Sequence, residues 1–244
     1  MTVRTTGIAL ALVLSGASLY AADARNFDKT LPLTASGAVE LYAHNGAIQI
    51  RTWDRAEVEV HVKIEARNTS YEARRRLNAV AVDIEGSSDR ISIKYDSSSL
   101  WAWSPWSMFW GEWDNSPDVH YTLTVPRTAR LKIHTHNAKS DIRDVTAPLD
   151  VSTHNGSVWV ANLDGPLKLS MHNGDAHVDF ASFTHASRVS AHNGSTELML
   201  PASSRFELHT VGHRSNVNSD FQANGGGPEL RLTAHNGSFR VRSK

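Results

Sequence analysis

The sequence predicts an all-β protein built as a stacked parallel β-solenoid (β-helix) with one short helix and a tryptophan-rich insertion; an antiparallel β-sandwich is the alternative. Three observations carry this. The tripeptide His-Asn-Gly recurs at 44–46, 154–156, 172–174, 192–194 and 235–237, with a near-copy, His-Asn-Ala, at 136–138. If His213 is counted as a degenerate copy, the steps from His136 are 18, 18, 20, 21 and 22 residues, and a fixed period of this length marks stacked units. Each copy also follows a short alternating strand. Asn-Gly is equally the signal of a two-residue hairpin turn, which keeps the sandwich open. A meander of hairpins, however, has no reason to reuse one corner, whereas stacked corners let the asparagines form a ladder of side-chain amides.

Residues 1–24 read as a secretory signal peptide. Arg4 precedes an apolar run from Gly7 to Leu14, and small residues at Ala17, Ala21, Ala22 and Ala24 suit cleavage. The expected location is the periplasm, or secretion to the cell surface. No later stretch reaches the ~18 apolar residues of a membrane span, so no transmembrane segment is expected in the mature chain. With no cysteine, neither a lipid anchor on cysteine nor a disulfide framework is open to it. Lys plus Arg equals Asp plus Glu at 25 each, which argues against nucleic acid as a partner.

Residues 25–128 form an expected N-terminal β region and 129–244 the repeats, as one continuous domain over 25–244. Val58, Val60, Val62 and Ile64 alternate with polar residues, so that strand buries one face. Thr69-Ser-Tyr-Glu72 has the form of a capping box and opens a helix to about Val80. From Ala129 onward each period holds short strands of about four to six residues, with Leu131 and Ile133, Val151 and Thr153, or Leu167, Leu169 and Met171 inward. The residue before each histidine is small or apolar and inward, which turns the histidines outward.

The run His120-Tyr-Thr-Leu-Thr-Val-Pro-Arg127 and the upstream Ile48-Gln-Ile-Arg-Thr-Trp-Asp-Arg-Ala-Glu-Val-Glu-Val60 resemble the bacterial "putative adhesin" family of exported β-strand-repeat proteins (the DUF4097 type). The resemblance spans Phe27 to Val241 and implies a right-handed parallel β-solenoid with no established enzyme activity. This chain departs from the family pattern in placing histidine where Ser or Thr is more usual, and in its tryptophan-rich insertion.

Three sets of residues are candidates for function. Asn45, Gly46, Asn155, Gly156, Asn173, Gly174, Asn193, Gly194, Asn236 and Gly237 are structural turn residues, because glycine accepts positive φ freely and asparagine tolerates it. His136, His154, His172, His192 and His235, with His44, form a column whose neighbours lie ~4.8 Å apart; they are candidate ligands for Zn²⁺ or Cu²⁺, or a proton-responsive array, and otherwise no cofactor is implied. In the insertion, residues 97–118, Ser104 and Pro105 suit a helix start, after which Trp106, Phe109, Trp110 and Trp113 fall on one face. With Trp101 and Trp103 they make a candidate aromatic surface, either a lid over an open sheet edge or a docking face for an envelope protein or glycan. No catalytic group stands out, since the Ser/His neighbours arise from the repeat and lack an orienting acid. The expected role is a non-enzymatic envelope protein that binds or builds; a metal- or pH-responsive protein is the alternative.

Overall fold

The computed structural model describes residues 24–96, 116–212, 216–222 and 225–244. Residues 1–23 of the expected signal peptide, residues 97–115 of the expected insertion, which hold the expected helix start and all six candidate aromatics, and His213 lie outside the described residues. The chain forms β1 (Ala24–Pro32), β2 (Ala38–Trp53), β3 (Glu57–Glu65), α1 (Tyr71–Ala79), β4 (Ala81–Gly86), β5 (Arg90–Asp96) and β6 (Asp118–Pro126). The repeats supply β7 (Arg130–Arg143), β8 (Leu149–Asn155), β9 (Val158–Leu163), β10 (Leu167–Asn173), β11 (Ala176–Phe180), β12 (Ser187–Leu200), β13 (Glu207–Gly212), β14 (Asn216–Ser219) and β15 (Glu229–Ser243). No helix among the described residues is long and apolar enough to cross a membrane.

All the repeat strands pair in parallel, and in register apart from a shift between Val178 and Phe180 of β11 against β9. Leu131, Leu149 and Leu167 are successive partners, as are Asn137, Asn155, Asn173 and Asn193. The pairings run β7–β8–β10–β12–β11–β9 and return from β9 to β7, which closes a ring of six parallel strands. The architecture is therefore a closed six-stranded parallel β-barrel with further strands outside it, which corrects the expected right-handed parallel β-solenoid, or β-helix. The antiparallel β-sandwich is overturned as well, for among the described residues antiparallel pairing is confined to β1 with β3, β3 with β6, and β4 with β5. The physical reason lies in strand length. β7 and β12 each run 14 residues and stay extended through the His-Asn corner, so each pairs one neighbour with its first half and another with its second. Reading every corner as a break divided such strands into short, separate ones.

Chain order and ladder order part at the C-terminus. β15 lies between β12 on one side and β13 with β14 on the other. The segment carrying the degenerate copy is thus outside the final intact one, and His192 is followed in space by His235. Burial explains the exchange. Leu230, Leu232, Phe239 and Val241 of β15 are almost wholly covered, whereas β13 is exposed at five of its six positions. A strand with two apolar arms needs neighbours on both edges, and the weaker strand serves as the edge.

The core is one cluster of inward side chains from Leu33 to Val241, each fully buried Val, Leu or Ile contributing ~1.5–3 kcal/mol. At the other end α1 packs Ala73 and Leu77 inward. Its N-cap is Ser70, whose Oγ accepts from Ala73 N at 3.1 Å, one residue beyond the expected Thr69. Arg25 donates through Nη1 to Leu77 O and Val80 O at 3.0 and 2.9 Å, satisfying carbonyls at the helix end.

Candidate functional site

Alternation along the strands places three columns of side chains on one outer surface. In β10 these are Lys168, Ser170 and His172; β8 supplies Asp150, Ser152 and His154, β12 Arg188, Ser190 and His192, and β15 Arg231, Thr233 and His235. Their partners in β7 and β2 are Lys132, His134 and His136, then Glu40, Tyr42 and His44. Within a strand the columns stand ~6.6 Å apart, and layers repeat every ~4.8 Å. The middle column is short from Ser152 to Thr233. A groove of about 1100 Å³ consequently runs across the strands, floored by Ser152, Ser170 and Ser190 and walled by the histidines. Beside it, along the charged column, is a second hollow of about 510 Å³.

The imidazoles stack. His44 and His136, His136 and His154, and His154 and His172 lie with centroids 5.2, 4.9 and 4.7 Å apart and planes within 4–6° of parallel. Tyr95 extends the stack beyond His44, and Tyr42 covers His134. Past His172 the geometry changes: His172–His192 and His192–His235 are edge-on, at 71° and 77°. His192 Nδ1 is buried and has no hydrogen-bond partner among the described residues. Burial, then the neighbouring His136 and Arg67, lower the pKa of His44 below the usual histidine value. Desolvation followed by the next imidazole does the same for His136 and His172, and desolvation with Lys132 for His134.

The corners behind the histidines are tied by asparagine. Asn137 donates through Nδ2 to Asn45 Oδ1 at 3.0 Å, and Asn155, Asn173 and Asn193 each donate to the preceding copy at 2.8 Å. Asn236 closes the series with a longer 3.4 Å contact to Asn193. Gly46, Gly156, Gly174 and Gly194 have φ between 114° and 148°, and a Cβ on Gly174 or Gly194 would come within 1.8 Å of the carbonyl oxygen one layer away. Gly237 and Ala138 do not share the positive φ, so the third position has two backbone solutions.

The rings of the metal candidates face one another over most of the column. Ring nitrogens lie in the ring planes, so the lone pairs of parallel neighbours point alongside one another instead of converging, and a shared Zn²⁺ or Cu²⁺ at ~2.0–2.1 Å would require the rings to turn. Among the described residues no three or more His, Asp or Glu side chains are grouped to hold a metal.

Two features escaped the sequence reading. One is the hydroxyl floor, legible only once strand register sets Ser152, Ser170 and Ser190 side by side. The other is on the second arm of the strands, where half-exposed Trp159 stacks on His177 at 4.1 Å and His177 Nδ1 meets Glu197 at 3.1 Å. The signal was present in the 18- and 20-residue steps from 159 to 177 and 197, but a column of unlike residues shows no motif.

Solved structures resemble the chain at low identity. A crystal structure described as a "putative cell adhesion protein" from Clostridium sporogenes is 11% identical with a TM-score of 0.48, covering 90% of this chain and 100% of its own. A "putative adhesin" from Bacteroides fragilis is 11% identical at 0.45, covering 89% and 97%. A "putative lipid binding protein" from Parabacteroides distasonis is 11% identical at 0.34, covering 89% and 96%. Overlap this loose carries no conclusion about fold or role. No family model and no curated protein matches the chain, and the likeness to the DUF4097 type in particular has no counterpart among these matches.

Proposed function

We propose that the chain is an exported, non-enzymatic protein of the cell envelope that binds an extended ligand in the groove beside the imidazole column. The observation that carries this reading is the groove itself. Four successive layers, from Ser152 to Thr233, present a short hydroxyl side chain and a histidine in the same register, so a ligand of repeating units can meet similar chemistry in each, and the floor leaves room that larger side chains would fill. Spacing favours binding over catalysis. Ser and His in one strand are two residues apart, ~6.6 Å, beyond the ~2.6–3.2 Å of a nucleophile and its base. Export rests on the expected signal sequence, and the aromatic insertion has no part in the groove reading.

The test is a screen of the purified mature chain against immobilised glycans and peptides, with Ser170→Trp as a variant whose exposed floor position is filled. A ligand retained by the native chain and lost by Ser170→Trp is expected. A screen in which every ligand bound is held equally by the variant would overturn the reading.

A second reading is supported by the lowered histidine pKa values: the column responds to acid. Neutral imidazoles tolerate the stack, whereas protonated neighbours ~4.8 Å apart repel.

A further inference from the structure

The layers of β10, β12 and β15, just inside the edge strand β13, differ from the rest of the groove. Lys168 pairs with Arg188 and Arg188 with Arg231, so three cations stand directly side by side in register. Earlier layers alternate sign instead, through Glu40, Lys132 and Asp150. Like charges opposite one another in a sheet cost stability, and only part of that cost is relieved here. Lys168 reaches Asp150 at 2.9 Å and Arg231 reaches Glu229 at 2.7 Å. Arg188 between them is exposed and has no carboxylate within ion-pair distance among the described residues. The hollow along this column holds six cationic side chains against three carboxylates.

In the same three layers the imidazoles leave their face-to-face stack and stand edge-on, and the partnerless Nδ1 of His192 belongs to the middle layer. Ser170, Ser190 and Thr233 lie between the cations and the rings. The result is three cations, three hydroxyls and three imidazoles in a grid of ~13 Å by ~10 Å. Leu169, Val189 and Leu232 of these strands are buried in the core, so the outward side chains of the grid are polar donors and acceptors, with the exposed Val211 of β13 beside Thr233 at its margin.

We infer that this grid is a subsite for an acidic polysaccharide, a sugar chain bearing carboxylates, laid across the strands with a carboxylate on Arg188 and sugar hydroxyls on Ser170, Ser190 and Thr233. The inference rests on the groove reading above and names what enters it. Arg188 offers a planar, forked donor matched to a carboxylate, and the hydroxyl row can both donate to and accept from sugar hydroxyls. A nucleic acid would ask for a strongly basic protein, which a chain with 25 cationic and 25 acidic residues is not. An acidic peptide would satisfy the cations but would meet the hydroxyl row only with one backbone N–H and one C=O per residue, whereas each sugar unit brings several hydroxyls that both donate and accept.

Isothermal titration of the mature chain with an oligogalacturonate, its carboxyl-reduced neutral counterpart and polyglutamate tests this. The oligogalacturonate should bind, and Arg188→Gln should weaken it about tenfold, the loss of one charge-assisted hydrogen-bonded contact. Ser170→Trp should abolish binding, while Arg240→Gln, on the other arm of β15, should leave it unchanged; equal urea midpoints establish that the variants remain folded. Equal binding of the neutral oligomer would overturn the anionic class; if Ser170→Trp still abolished it, the groove reading would stand. Equal binding of polyglutamate would reduce the grid to an unselective cationic patch and overturn the sugar assignment. Failure of all three probes to bind would overturn the inference alone, since the groove reading is decided by the screen with Ser170→Trp.

Discussion

The repeat region and the N-terminal region hold themselves together by different means. From β7 to β12 every strand pair is parallel, and at the corners and in one core column a side chain meets a copy of itself: Asn on Asn, His on His, Leu131 on Leu149 on Leu167. Between β1 and β6 the pairing is mixed and the contacts join unlike partners, such as Arg67 with Asp118, Arg127 with Asp54, and Arg25 with the end of α1. Repetition lets one solution serve many layers, but it also commits each layer to the geometry of the next. Outside β2, whose His44 and Asn45 join the repeat columns, the N-terminal region has no such commitment, and a change there should stay local.

The largest break in that comparison should come from the corners. Gly174→Ala sets a methyl 1.8 Å from the carbonyl oxygen of Gly156 at a φ of 131°. The expected loss in urea unfolding is about 3 kcal/mol or more, strain plus clash. Gly226→Ala, at a φ of 72° with open space around the added carbon, should cost only ~1–2 kcal/mol. Comparable losses would mean that the layers give way and are not committed to one another.

Next in size is the amide ladder. Asn155→Ala removes a bond donated to Asn137 and another accepted from Asn173, and should cost about 2 kcal/mol at ~1 kcal/mol per bond. Ser70→Ala, which removes the cap of α1 in the N-terminal region, should cost ~1 kcal/mol. Matched urea midpoints for the two would place no premium on repetition.

The smallest effect per residue should be that of acid. His44, His134, His136 and His172 have pKa values held down in the folded chain, so the unfolded chain takes up protons first. Their contribution is fully present above the unfolded value of ~6.5 and falls as pH drops through it toward the folded values. The urea midpoint should be lower at pH 5.5 than at 7.5, and His136→Gln with His172→Gln should narrow that difference. A midpoint unchanged by pH in the native chain would remove the acid-response reading.

Much of the local structure was legible in the sequence. Alternation of Val58, Val60, Val62 and Ile64 marked a half-buried strand, and β3 buries those four. The capping pattern near Ser70 does open the one helix of the described residues. The ring closure was not legible, because it depends on β7 and β12 staying extended through a corner, and a tripeptide does not reveal whether the chain bends there or breaks. Nor was the exchange of β15 with β13 and β14, since the period counts residues along the chain whereas neighbours are chosen by burial. The charged grid at Lys168, Arg188 and Arg231 needed register first: residues 20 and 43 positions apart carry no visible relation until the strands are aligned.

The asparagine series has a direction. Every amide from Asn236 to Asn137 hands its N–H toward the Asn45 end and none the other way, so the small dipoles add head to tail along the barrel's flank and polarise one another. The column therefore has a partly positive pole near Asn45 and a partly negative one near Asn236, much as a helix has, although it is made wholly of side chains. A cut at its middle interrupts that alignment on both sides, whereas trimming its tail shortens it by one link.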